Sequence, residues 1–364
     1  MKKFTVALLY NLKQNAPHER EDEPWDTWNE LDSEKTAAGI ERALRAGGHE
    51  VIAMEGDAAL PQKLQRYKID IAFNTCEGHH GASRESQVPA LLDMLRVPYT
   101  GAGVMTLSVA LDKPMAKRVM AFYNLPTPAF QTFVTGEERI ESHLKYPLFV
   151  KPSREGSGIG ITAKSVCRNA RELRAQVQFI INSYRQPAIV EEYIEGREFT
   201  LGMLGNMPWN IPAVAIPNMT KSNGNGHGPR PAQIPSTLRV FPPLEVDLSP
   251  VPAEEAGLYT SVVKSKLYDV PKYLCPAPIS KTLRAKMERA AAGAFMALEC
   301  CDFARVDFRV RADTGEPFIL EINPLAGLQE RISDIVMAAE ADGLDYAGLI
   351  NGILEAALRR HGMI

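Results

Sequence analysis

The chain has 364 residues, of which 41 are lysine or arginine and 44 aspartate or glutamate, for a net charge of −3. That length fills two or three domains with cores of their own. The balanced charge gives no basic footprint for nucleic acid and no apolar run nears the ~20 residues of a membrane span, so neither partner is expected.

Met1-Lys2-Lys3 before the apolar run Phe4–Tyr10 has the outline of an export signal. The run is short and meets Asn11 and Lys13 with no small-residue cleavage site, so it reads as a first strand. The cysteines, Cys76, Cys167, Cys275, Cys300 and Cys301, are odd in number and lack C-x-x-C spacing. They read as reduced core thiols of a cytoplasmic protein.

In chain order, strands are expected over Phe4–Leu9, Glu50–Met54 and Ile69–Asn74, alternating with helices over Glu34–Ala46 and Arg84–Leu95. Strand–helix alternation argues a parallel sheet whose crevice lies at the strand C-terminal ends, where Asn74 to Arg84 falls. Asp112 caps a following helix carrying Lys113, Lys117 and Arg118, and the last two read as a charged outer face. A second unit holds strands over Pro147–Lys151, Ile161–Val166 and Pro187–Ile194 and a helix over Ala170–Tyr184. A third closes with helices over Asp334–Ala341 and Tyr346–Arg360. The Gly-, Pro- and Asn-rich stretch 218–252 reads as a long loop, either a lid or a mobile bulge.

Two clusters carry chemistry. In Phe149-Val150-Lys151-Pro152-Ser153-Arg154-Glu155-Gly156-Ser157-Gly158-Ile159-Gly160 an apolar run ends in a lysine and runs into a loop of small residues. A lysine at a strand end can meet nucleotide phosphates, and loop N–H groups can close over them. The spacing is that of neither the Walker nor the dinucleotide pattern, and a plain surface turn would look much the same. Far downstream, Arg305-Val306-Asp307-Phe308 and Ile319-Leu320-Glu321-Ile322-Asn323-Pro324 flank the turn-forming Asp313-Thr314-Gly315-Glu316-Pro317. Alternate residues of a strand share a face, so Arg305 points with Asp307 and Glu321 with Asn323. If the strands pair, two carboxylates and an amide oxygen converge among apolar neighbours, a donor set suited to Mg²⁺ shared with a polyphosphate.

With Pro98–Gly103, Asp112-Lys113, Val190–Ile194, Gly196–Thr200 and Leu274–Ala277, these clusters make the chain resemble the ATP-grasp superfamily and, within it, the D-alanine–D-alanine ligase family. The resemblance implies an α/β, ATP-grasp fold. Residues 1–112 would form a Rossmann-like substrate domain, 113–195 a central lobe with the phosphate loop, and 196–364 a lobe with the metal site and the 218–252 insertion. The two lobes would sandwich ATP. By the same resemblance, Lys113 and Lys151 hold the α- and β-phosphates and Glu155, Gly156 and Ser157 cover the triphosphate. Glu191, Glu192, Tyr193 and Ile194 line the base, Glu198 takes the ribose, and Lys264 reaches the γ-phosphate, with Lys266 an alternative. Asp307, Glu321 and Asn323 hold two Mg²⁺ (or Mn²⁺), Arg305 and the Gly327 N–H stabilise an oxyanion, and the protein is a homodimer. On the residues alone, Glu191, Glu192 and Glu195 are also compatible with a solvated acidic strand end.

The substrate half departs from the family. Tyr10-Asn11-Leu12-Lys13 leads into an acidic loop, Glu19–Glu34, with Glu30 near the place of the family's ammonium-binding glutamate. The family's histidine falls at Glu77 and a second glutamate near Ala82. Gly327 matches, Ser333 is one place off a substrate-contacting serine, and Ser265 or Lys266 falls where a loop-supporting tyrosine belongs. Changing the groups that pair with a substrate changes which substrate is accepted. The expected activity is therefore an ATP-dependent carboxylate–amine ligase acting through an acylphosphate on amino acids or a small peptide. A D-alanine–D-alanine ligase of peptidoglycan synthesis and an ATP-dependent small-molecule kinase are the alternatives.

Overall fold

The computed structural model describes residues 2–18, 20–208 and 234–364. The chain opens with β1 (Thr5–Tyr10), α1 (Glu34–Ala46), β2 (Glu50–Glu55), α2 (Leu60–Gln65), β3 (Ile71–Asn74), α3 (Gln87–Leu95) and α4 (Val104–Leu111). The three strands form a parallel sheet in the order β2-β1-β3. Its central strand is apolar and buried from Val6 to Leu9 because both faces are covered. Val6 and Leu8 pack with Ile40 and Leu44 of α1, while Ala7 and Leu9 pack with Leu60, Leu64 and Leu92 of α2 and α3. Ser33 starts α1 by accepting the Thr36 N–H, as a helix N-cap should.

The middle of the chain holds α5 (Lys113–Phe122), β4 (Phe130–Phe133), β5 (Leu148–Pro152), β6 (Val166–Cys167), α6 (Ala170–Tyr184) and β7 (Ala188–Glu192). Its antiparallel sheet runs β4-β7-β5-β6, with α6 packed on one face through Leu173, Val177 and Ile180. The strand expected over Ile161–Val166 is mostly a turn. The Thr162 hydroxyl accepts the Lys164 N–H and the Ser165 hydroxyl accepts the Thr162 N–H, both at 3.2 Å. Those local bonds displace ladder pairing, which survives only at Val166–Cys167.

The rest is β8 (Gly196–Gly205), β9 (Leu238–Val240), β10 (Leu244–Asp247), α7 (Ser261–Lys266), β11 (Lys272–Leu274), α8 (Lys281–Ala297), β12 (Phe303–Arg311), β13 (Pro317–Asn323), α9 (Asp334–Ala341) and α10 (Tyr346–Arg360). One sheet runs β11-β10-β8-β12-β13, with β9 also on β8. The loop expected over 218–252 lies outside the described residues as far as residue 233. Beyond it the structure has two strands, β9 and β10, each alternating apolar with polar residues in sheet fashion. α9 and α10 return to the first sheet, where Ile335, Tyr346, Leu349 and Ile353 join the core of Val6 and Leu8.

The second and third sheets face each other across a cleft of about 780 Å³. Its walls come from β5, β7 and the loop after β5 on one side, and from β8, α7, β12 and β13 on the other.

Candidate functional site

The hairpin of β12 and β13 builds one wall by register alone. Asp307 stands between Thr200 of β8 and Glu321 of β13, and Arg305 opposite Asn323. Asp307 accepts the Thr200 hydroxyl at 2.8 Å, both forks of Arg305 at 2.8 Å, and the Asn323 amide N–H at 3.1 Å. That last bond frees the Asn323 amide oxygen, so two carboxylates and one amide oxygen remain as hard donors, a set that fits Mg²⁺. Burial alone would raise the Glu321 carboxyl. The cations Lys113, Lys151, Lys264 and Arg305 outweigh it and hold the group well below the usual carboxylate range.

On the opposite wall Lys151 closes β5, and Glu191 of β7 stands on the same face, opposite Phe149. Glu191 is 2 % exposed and pairs with both Lys151 at 3.1 Å and Lys117 at 3.0 Å. Lys117 is not part of a charged outer face: it is 1 % exposed and donates to Thr127 at 2.7 Å. Burial, opposed by Glu191 and reinforced by Lys151, brings its pKa down to about 8. Nor is Glu191 a solvated strand end: the same two lysines overcome burial and keep it ionised.

Lys113, at the first turn of α5, is 7 % exposed, donates to the Glu155 carbonyl and pairs with Glu321 at 3.3 Å. Glu192, Tyr193 and Ile194 line the cleft beside Glu198. Glu198 pairs with Arg309 at 3.2 Å, and Arg309 also donates to the Tyr193 hydroxyl at 2.9 Å. Lys264 of α7 lines the cleft over the Tyr259 ring, 4.4 Å from its centroid. Lys266 turns away and lies 4.0 Å over Trp25, which separates the two lysines left open by the sequence. Ser265 spends its hydroxyl on the Ser261 carbonyl at 2.6 Å.

The loop after β5 is tied down from outside. Gly158 has φ +72°, and a Cβ there would meet the Ser261 N at 2.8 Å, so only glycine lets the loop lie on the start of α7. Asp26, from the acidic loop after β1, is 3 % exposed. It accepts the Gly160 N–H at 3.1 Å, the Ser261 hydroxyl at 2.8 Å and the Tyr184 hydroxyl at 2.9 Å. Nothing local marked this residue among its acidic neighbours.

Beyond Lys113 and Gly156 the cleft opens into a second cavity of about 610 Å³. Ser157, Arg305, Asn323 and Gly327 line it together with Glu30, Glu77 and Glu85. One oxygen from each of these three glutamates lies within 4.8 Å of the others. Glu30 accepts from Arg84 at 2.5 Å, and the same guanidinium holds Glu155 at 3.0 Å. Gly78 fixes the turn bearing Glu77: its φ is +72°, a Cβ would strike the Arg84 carbonyl oxygen at 2.5 Å, and its N–H is held by Asn11 at 2.9 Å. Burial first, then the Glu30 charge, raises Glu85 to about 8, and Glu77 rises well above its ordinary value by burial and repulsion from Glu85. Glu30 and Glu85, the latter three residues beyond Ala82, both line this cavity.

The family described as D-ala D-ala ligase C-terminus matches residues 119–220 and 250–355. A D-alanine–D-alanine ligase of Syntrophotalea carbinolica is 31 % identical over 328 residues, covering 90 % of this chain and 91 % of that protein. An uncharacterized protein, y4sG, of Sinorhizobium fredii is 32 % identical over 353 residues, 95 % of this chain and 92 % of that one. Among solved structures, D-alanine–D-alanine ligase from Bacillus anthracis complexed with ATP superposes with a TM-score of 0.70 at 17 % identity, covering 99 % of this chain and 100 % of that one. This last likeness carries the fold.

Proposed function

This chain belongs to the D-alanine–D-alanine ligase family and is an ATP-dependent ligase, and we propose that it joins the carboxylate of one amino acid to the amine of another amino acid or small peptide. The observation that carries the reading is the pair of joined cavities, which share Lys113, Gly156 and Glu321. A nucleotide in the first would point its γ-phosphate at a carboxylate in the second.

In this reading the substrate carboxylate oxygen attacks the γ-phosphorus, the bond to the β-phosphate oxygen breaks, and ADP leaves. The amine then attacks the acylphosphate carbon, loses a proton and expels phosphate. Lys113, Lys151 and Lys264 orient the triphosphate, and Glu155, Gly156 and Ser157 exclude water above it. Lys117 acts one layer behind, holding Glu191 and through it Lys151. Mg²⁺ held by Asp307, Glu321 and Asn323 would offset charge growing on the phosphoryl oxygens. Arg305 and the Gly327 N–H stabilise the oxyanion of the tetrahedral carbon. Residues 1–112, 113–195 and 196–364 serve as substrate domain and two nucleotide lobes, in a cytoplasmic homodimer.

Relatives named as D-alanine–D-alanine ligases favour a second reading, D-alanine–D-alanine ligation. Phosphate release from Mg-ATP, with product mass read from the same tube, tests both. Phosphate with a dipeptide mass is expected from an amino-acid panel, and D-alanyl-D-alanine as the main product selects the second reading. A phosphorylated product without free phosphate makes the protein a kinase and overturns the first.

A further inference from the structure

Arg84, from the turn after β3, reaches across to the loop after β5. Its backbone is fixed from its own side: the Gly78 turn packs on its carbonyl, and the Ser86 hydroxyl donates to the Val104 carbonyl at 2.9 Å. Its side chain is only 10 % exposed. Nη1 donates to the Arg154 carbonyl at 2.8 Å, and Nη2 donates to Glu155 at 3.0 Å and to Glu30 at 2.5 Å. Gln186, which precedes β7, holds the same two loop residues from the other side. Its amide oxygen accepts the Arg154 N–H at 2.7 Å, and its amide N–H donates to Glu155 at 2.5 Å. The Glu155 carbonyl accepts from Lys113, which pairs with Glu321. The Arg84 guanidinium thus connects Glu30 to the loop and, through Glu155, to Lys113, while lining neither the cleft nor the second cavity.

We propose that Arg84 is a positioning residue for the ligase reaction: it fastens the loop after β5 over the triphosphate and against Glu30, so that the acylphosphate meets the amine and not water. This rests on the ligase reading above and deepens it. An acylphosphate open to solvent is lost when a water oxygen attacks its carbon. The bond from that carbon to the phosphate oxygen breaks, a proton is released, and carboxylate and free phosphate result with no new amide bond. Excluding water from such an intermediate is what a covering loop does, and it covers only where it is held. Gly156, Gly158 and Gly160 have no side chains that could anchor this one. Its far end is held by Asp26 at the Gly160 N–H, and its near end by Arg84 at Arg154 and Glu155. The near end needs an arginine: a planar fork of N–H groups can serve three acceptors at fixed angles, whereas an ammonium is a single compact centre.

The test counts free phosphate and ligated product together in wild type and in Arg84→Lys, with Mg-ATP and whichever of D-alanine and the standard L-amino acids wild type joins fastest. Wild type should release one phosphate per bond formed. Arg84→Lys keeps the charge but not the fork. Its kcat should fall by about tenfold to a hundredfold, the scale of one charged hydrogen bond, and its phosphate per bond should rise above one. Should that variant fail to fold, Glu155→Gln is read in the same way, since it weakens the Arg84 contact and leaves the backbone carbonyl to Lys113. A ratio that stays at one, whether or not kcat falls, makes Arg84 a structural residue; it overturns the inference and leaves the ligase reading standing. No ligated product from any amino acid in wild type overturns the ligase reading, and the inference with it.

Discussion

The nucleotide cleft and the cavity behind it are built from the same residue types but are balanced differently. In the cleft each buried carboxylate faces a cation of the same chain: Glu191 has Lys117 and Lys151, Glu198 has Arg309, Asp307 has Arg305, and Glu321 has Lys113. In the cavity, Glu77 and Glu85 form no ion pair among the described residues, and Arg84 acts on them only at longer range. A cleft whose charges are already paired is organised before its ligand arrives, and it can exchange those pairs for phosphates at little reorganisation. A cavity whose carboxylates lack such partners holds them towards their protonated forms, and its charge can change with what binds beside them. The first arrangement suits one nucleotide used across a whole family; the second is where substrate choice is free to differ.

Removing the anion at the junction should break the comparison most severely. Glu321→Gln keeps the size of the side chain but deletes the charge that Lys113, Lys151, Lys264 and Arg305 all hold ionised. Phosphate release should fall by about a thousandfold. Thermal unfolding followed by circular dichroism should show the chain still folded. Full activity in that variant would remove Glu321 from the metal set.

Asp26 joins the two regions, and it should give the intermediate effect. Asp26→Asn retains one acceptor oxygen where three donors converge, from Gly160, Ser261 and Tyr184. One unsatisfied buried donor costs about 1–3 kcal/mol. Because the loss falls on the phosphate loop and on the helix bearing Lys264, the ATP KM should rise by about tenfold. A variant changed only in its amino-acid KM would show that the acidic loop serves the cavity alone.

The same contrast decides what could be read from the sequence. The glycine-rich loop after β5 and the β12–β13 hairpin were legible because their pattern is local: a lysine near the end of an apolar run, and two strands joined by a turn, whose register follows from alternation. The helices over Glu34–Ala46, Ala170–Tyr184, Asp334–Ala341 and Tyr346–Arg360 were legible too, through their caps and apolar spacing. Asp26 was not, because its partner Ser261 is 235 residues away and its neighbours are equally acidic. Glu85 stood only three places from where a family glutamate was expected, yet its meeting with Glu30 depends on the turn at Gly78. Lys117 looked like any basic residue on a helix face. The one clue was an acidic residue, Glu191, on an otherwise apolar strand, which needed a buried cation and had two within reach.

Lys117 also gives the smallest and most specific test. Its folded pKa of about 8 lies below the ordinary 10.5, chiefly through burial, so between those values the folded chain binds fewer protons at this site than the unfolded chain. Stability rises with pH wherever the unfolded state binds more protons, so the group's cost is full below pH 8 and fades as pH climbs towards 10.5. Lys117→Met lacks that titration and leaves Lys151 and Glu191 as a simple pair. Wild-type stability minus variant stability, from urea melts at steps between pH 7.5 and 9.5, should therefore increase with pH, by no more than about 1.4 kcal/mol per unit. A difference that shrinks with pH would mean that Glu191 holds the lysine charge more strongly than burial opposes it. The cleft would then be tied together by that ion pair rather than carrying Lys117 at a cost to keep Glu191 and Lys151 in place.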